Sequence, residues 1–299
     1  FHQINLVDIN YVHLPRIDQS YLNSLEFKTG FQDNLIAATR YTFQYDNQKF
    51  TKERKSQFFK FSIETAGNML AAVNQSGNFD QNPDTKQFLV LGVPYAQYVK
   101  LDFDFRNYIN LSDEHQLVIR GFFGSTINYG NTPYLPPFEK SFLAGGSNDI
   151  RGWTAYNLGP GNFPSKLYYT GTSSYAAVAP LKIMANAEYR FPIIKAFRGA
   201  VFFDAGNIWL WDRTYNSATD VSPVELALIK NGIFKFDEFY KQLATNTGIG
   251  FRYDFGFFAF RLDLGMKIWD PTEPLNYRFV LPGLRWNTIT YNIALGYPF

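Results

Sequence analysis

The residues able to do chemistry in this 299-residue chain are few and dispersed. Its three histidines, His2, His13 and His115, have no metal-ligand spacing, and the absence of cysteine removes disulfides and thiolate sites alike. No serine stands in the glycine frame of a nucleophile elbow, and no glycine-rich loop is shaped to cradle phosphate. Asp102 and Asp104 form a carboxylate pair, but alternate positions on one strand face account for both. No catalytic constellation emerges, so the sequence reads as a non-enzyme that needs no metal or cofactor. One polar grouping has a mechanical use. Within Gly145-Gly146-Ser147-Asn148-Asp149-Ile150-Arg151-Gly152-Trp153, Arg151 offers five fixed donors that can grip a carboxylate bidentately, and Gly152 lets the chain turn tightly beside it. A long loop that folds back into a lumen needs such an anchor, whereas a plain surface turn would leave Arg151 solvated.

The elements that would position this loop are strands. Aromatic residues make up 19% of the chain, with 31 Phe and 20 Tyr. Mean hydropathy is only -0.22, and no apolar run approaches the roughly 18–20 residues of a membrane helix. Apolar residues are therefore spread among polar ones, as in transmembrane β-strands with one face to lipid and one to a wet lumen. A net charge of +2 without a clustered basic face argues against nucleic acid as a partner.

Period-two alternation is clearest at the end of the chain. Ile289, Tyr291, Ile293, Leu295, Tyr297 and Phe299 share one face of a strand predicted over Thr288–Phe299. Before it, Phe258–Ile268 and Ile249–Phe255 alternate around a tight link, so they must be antiparallel neighbours. Further pairs are Ile183–Phe191 with Arg198–Trp209, and Tyr98–Tyr108 with Gln116–Ser125. Earlier strands are predicted at Gln3–His13, Leu35–Tyr45 and Phe58–Gly67, about ten in all. Short links near 46–57, 109–115, 192–197 and 254–257 alternate with long ones near 14–33, 68–97, 126–182, 209–243 and 269–287. Short periplasmic turns and long outer loops give that asymmetry. In the loop Val221–Leu243, Ser222-Pro223-Val224-Glu225 reads as a helix start, with Phe236, Phe239, Tyr240 and Leu243 at helical spacing.

Strand charges share parity with small and polar residues and occur in both signs, as in Lys100, Asp102, Asp104 and Arg106, or Glu188 with Arg190. They predict a mutually neutralising lumen wall. The single-sign cluster of an ion-selective constriction is absent. Arg252, Asp254, Arg261, Asp263, Asp102 and Asp104 should face the lumen; Phe103, Phe105, Phe258, Phe260, Leu262 and Leu264 should face lipid, as should the apolar face of the last strand.

The loop tip Ile150-Arg151-Gly152-Trp153 resembles that of outer-membrane barrel-assembly insertases of BamA/TamA type. Their sixth extracellular loop carries a phenylalanine, paired glycines and an aliphatic-Arg-Gly-aromatic tip. Leu158-Gly159-Pro160-Gly161 looks closest to the translocation-and-assembly-module branch. Phe202-Phe203-Asp204-Ala205-Gly206-Asn207 resembles the family's aromatic-Asp-x-Gly strand, and Ala187-Glu188-Tyr189-Arg190-Phe191 the acidic strand just after the loop. Gly248–Asp254 and the final Phe299 also fit.

The resemblance implies an all-β fold, a transmembrane antiparallel barrel in the outer membrane of a diderm bacterium. Residues 1–299 would be the C-terminal part of that barrel domain, about ten of a probable sixteen strands, with an inward-folding loop around 126–182. Because the chain starts at Phe1, without a signal peptide, it is expected to be processed, truncated or part of something larger. The implied function is assembly, insertion or translocation of proteins through a lateral seam. Tyr291, Ile293, Leu295, Tyr297 and Phe299 would form the C-terminal side of that seam. Implied partners are outer-membrane lipid, client outer-membrane proteins and periplasmic or accessory assembly subunits. A two-partner secretion transporter and a diffusion porin are the alternatives. The sharpest expectation is that Arg151 lies inside the barrel on Asp204, with Glu188 the second partner, because both acids have lumen parity on the two strands after the loop.

Overall fold

Alternating sequences at this density fold into one meandering sheet. The computed structural model describes residues 1–12, 33–48, 54–164 except 78, 84 and 134, then 177–212, 227, 230–256 and 258–299. Ten strands form the wall: β1 (His2–Val12), β2 (Asn34–Asp46), β3 (Lys55–Ala66), β4 (Tyr98–Asn110), β5 (Gln116–Asn128), β6 (Leu181–Ile194), β7 (Phe197–Trp209), β8 (Ala244–Asp254), β9 (Ala259–Trp269) and β10 (Thr290–Leu295). Each pairs antiparallel with its neighbour in sequence, from β1 to β10. Among the described residues the two edge strands do not pair with each other, so this chain is an open section of barrel wall. Every described side chain of Phe1–Tyr11 is exposed, on both faces of β1.

Burial follows the predicted parity. On β8, Ala244, Asn246, Gly248, Gly250 and Arg252 face one side; on β9, Arg261, Asp263 and Gly265 join them. Arg252, Arg261 and Asp263 are fully enclosed, while Phe103, Phe105, Phe260, Tyr291, Ile293 and Leu295 are exposed on the opposite face. Putting charges on one face and aromatics on the other is what a bilayer demands, since a lipid-facing Arg near its midplane costs about 2–4 kcal/mol.

Several boundaries differ from the sequence reading. The β6–β7 link is only Lys195–Ala196, because β6 continues past Pro192 to Ile194, β7 already starts at Phe197, and a register shift between Pro192 and Ile194 absorbs the proline. β10 is half the predicted length: Trp286–Thr288 is a 3-10 turn, and the strand stops at Leu295. Asp254 keeps lumen parity and lines a cavity with Arg252 and Arg190, but it is exposed where it ends β8, its Oδ1 accepting the Gly256 amide and closing the turn. The helix start at Ser222–Glu225 lies outside the described residues. Of the helical pattern that follows, Phe239–Gln242 forms a 3-10 turn.

The long connection between β5 and β6 folds against the lumen face. Ile150, Trp153, Leu158 and Phe163 are buried there with Phe142, Ile208 and Leu210 in the largest apolar cluster. Phe142–Leu143 pairs with Val178–Ala179 in a two-strand ribbon at the base of this loop.

Candidate functional site

Paired glycines shape the tip. Gly145 and Gly146 have φ of 94° and 105°, a region that L side chains avoid. Their turn brings the Gly146 amide to the Trp153 carbonyl at 2.8 Å, closing a small lobe. Asp149 steadies the lobe: its Oδ1 accepts the amides of Gly145 and Ile150, each at 3.0 Å, and its Oδ2 pairs with Lys182 of β6.

Arg151 projects from this lobe into the wall and is fully buried. Its Nε and Nη2 donate to the two Asp204 oxygens at 3.0 and 2.9 Å, and its own backbone amide reaches Asp204 Oδ2 at 3.2 Å. Its Nη1 donates to Glu188 at 2.5 Å and lies 3.4 Å from Asp263. The guanidinium carbon Cζ sits 3.5 Å from the centre of the Phe202 ring. Burial by itself depresses the pKa of an arginine; Asp204 and then Glu188 and Asp263 outweigh it, so the Arg151 pKa rises above its ordinary value.

The register of β6, β7 and β8 assembles this receptor. Asn186, Asp204 and Asn246 stand opposite one another across the three strands. The Asn186 and Asn246 amides each donate to Asp204 at 2.9 Å, filling the carboxylate positions that Arg151 leaves. Glu188 is shared with Arg190 and Arg252, at 2.8 and 3.2 Å, and Asp263 with Arg252 and Arg261, at 2.6 and 3.4 Å. Arg261 also reaches the loop, donating to Ser147 O and Asn148 Oδ1 at 3.0 and 2.7 Å. Alternating signs leave every carboxylate of the cluster beside at least one arginine.

Glycines give the loop room to come this close. A Cβ on Gly265 would fall 2.1 Å from the Arg151 carbonyl oxygen, and one on Gly152 would fall 2.7 Å from the Asn246 Cβ. Ile150 is fully buried, its Cδ1 3.0 Å from where a Gly206 side chain would begin. Trp153 is nearly as buried and lies 4.6 Å beneath the Lys267 ammonium.

Of the residues singled out on β10, Tyr291, Ile293 and Leu295 are exposed on the outer face. Phe299 is not with them, which corrects the reading of one continuous alternating face. Gly296 adopts φ 81° and turns the chain inward. Phe299 is then buried against Tyr108 and Val118, its carbonyl 3.1 Å from Arg190. Tyr297 lies beside the turn, its ring 4.7 Å from the Arg190 guanidinium.

The chain matches the Omp85 superfamily domain over residues 12–281. It belongs to the Omp85 superfamily. This places it as an outer-membrane β-barrel protein. Among solved structures, this Omp85 chain is similar to the crystal structure of BamA from Haemophilus ducreyi lacking POTRA domains 1–3. That similarity has 13% identity and a TM-score of 0.45, over 87% of this chain and 54% of that one. The chain thus spans about half the length of that structure.

Sequence reasoning missed four members of the Omp85 loop receptor: Arg252 and Asp263 as a bridging pair, and Asn186 and Asn246 as amide partners of Asp204. Parity put Arg252 and Asp263 in the lumen, but their role depends on the register of strands two and three steps away. A second luminal cluster was also unforeseen. Glu64 holds Lys140 at 2.8 Å and the Tyr98 hydroxyl at 2.5 Å, and pairs with Arg40. Lys140 arrives from the same loop as Arg151, so the loop is tied to the wall at two places.

Proposed function

We propose that this chain is the C-terminal section of the barrel of an outer-membrane protein assembly, insertion or translocation factor. Client strands would pair with the edge of β10. One observation carries the reading: Arg151 is buried among three wall carboxylates directly beside a six-residue edge strand whose outer side has no partner among the described residues. At membrane depth, unpaired backbone groups must find partners, so a short free edge is a template for an incoming strand. A diffusion porin's lumen loop narrows a pore and needs no Arg-Gly-aromatic tip of this kind.

The ten strands fit a larger barrel of about sixteen, in which further strands complete the wall beyond β1. The exposure of β1 on both faces supports this. The Leu158–Gly161 ending favours the translocation-and-assembly-module branch, with periplasmic or accessory subunits as partners. Depletion of the whole protein tests the function. General loss of outer-membrane barrels supports the assembly reading; loss of a single exported protein would point instead to a two-partner secretion transporter.

A further inference from the structure

β10 is the weakest-held strand of the wall. Its ladder to β9 covers only Phe260–Gly265, and its other edge carries no strand among the described residues. Its luminal side chains, however, reach the loop tip. Thr290 Oγ1 donates to the Gly152 carbonyl at 2.8 Å, and Asn292 Nδ2 donates to the Arg151 carbonyl at 2.9 Å. These are successive luminal positions of one strand meeting successive carbonyls of one turn. Gly265, opposite Thr290 in the ladder, has no side chain to hold the tip away, and a methyl there would overlap the Arg151 carbonyl. The residue whose guanidinium grips Asp204 and Glu188 thus holds the edge strand through its own backbone.

We infer that the loop tip is a latch on β10, with Thr290 and Asn292 as positioning residues that couple docking of Arg151 to the hold on the edge strand. A tip seated on Asp204 presents both carbonyls to β10. A tip that leaves its receptor withdraws them together, and the strand keeps only its short ladder. Coupling of this kind is reciprocal: the factor by which docking of the tip strengthens the hold on β10 equals the factor by which that hold strengthens docking. The inference deepens the seam reading above, giving it a control element inside the barrel.

The test is amide hydrogen exchange of the full-length protein in lipid nanodiscs. Thr290→Val with Asn292→Leu should speed exchange of the β9-facing amides of β10 by about fivefold for each hydrogen bond lost. It should also speed exchange at residues 150–153, while the β6–β7 hairpin stays unchanged. Thr290→Ser keeps the donor and should keep wild-type rates. Gly265→Ala, which displaces the tip instead of the donors, should reproduce the β10 effect. Unchanged β10 rates, equal acceleration of all strands, or a Thr290→Ser variant as fast as the valine would each overturn the latch. If exchange responds as expected but client assembly does not, the latch stands and the seam reading falls.

Discussion

Removing Arg151 should harm the protein chiefly through the charge it leaves behind, and a second substitution should recover part of the loss. Arg151→Ala takes away one partner of a buried ionic cluster, for which about 3–5 kcal/mol is usual. The three carboxylates do not share that cost equally. Glu188 retains Arg190 and Arg252, and Asp263 retains Arg252 and Arg261. Asp204 retains only the side-chain amides of Asn186 and Asn246 and the backbone amide of residue 151, so it becomes a fully buried anion without a cation. Much of the penalty therefore sits on Asp204, about 1–3 kcal/mol for a buried group left poorly satisfied. Asp204→Asn in the Arg151→Ala background removes that charge. The new amide has an acceptor at hand, because a flip of Asn246 would offer its Oδ1, which has no partner in the wild-type arrangement. The double variant should thus be more stable than Arg151→Ala alone by about 1–3 kcal/mol, even though Asp204→Asn alone is destabilising. Urea unfolding in detergent micelles, read by the mobility of folded and unfolded bands, measures all three variants. Additive losses, with the double variant the least stable, would refute the assignment of the penalty to Asp204.

Phe202→Ala deletes the ring under the Arg151 guanidinium and should cost about 3–5 kcal/mol in the same unfolding assay. Phe202→Leu should cost less while still loosening the tip. Lys140→Met leaves Glu64 with Arg40 and Tyr98 only, a loss of about 1–3 kcal/mol, and limited proteolysis should find the loop more accessible near residue 140. Gly145→Ala places a Cβ 2.3 Å from the Thr154 carbonyl at a φ of 94°, so the lobe must rearrange. Its tip residues should then become cleavable in the folded protein, and retention of wild-type protection would contradict the account of the turn.

Much of this was legible because a strand obeys parity. Charges at 102, 104, 188, 190, 261 and 263 could face only one way without placing ions in lipid, and once they did, the acids on the two strands after the loop were the nearest partners for Arg151. What was not legible depended on register or on a single backbone angle. Asp263 meets Arg151 from a strand two beyond that of Asp204 and three beyond that of Glu188, a relation that no local pattern encodes. Phe299 has the parity of a lipid-facing residue but is buried, because Gly296 takes a positive φ three residues before it and turns the chain inward. Lys140 joined Glu64 through a loop whose path the alternation of strands does not constrain.

The glycines of the inner wall also limit how such a protein can diverge. Gly265 leaves so little clearance that the Arg151–Gly152 backbone lies almost directly on β9, and Gly152 offers a bare surface in turn to the Asn246 side chain of β8. A methyl gained at Gly265 has no compensating methyl to lose on the loop, because what it would meet there is the Arg151 carbonyl and the Gly152 amide. Single-step drift is therefore closed at these positions. Loop and strands behave as casting and mould, and a chimera that takes its loop from one relative and its wall from another should fail where the glycines of one parent meet side chains of the other.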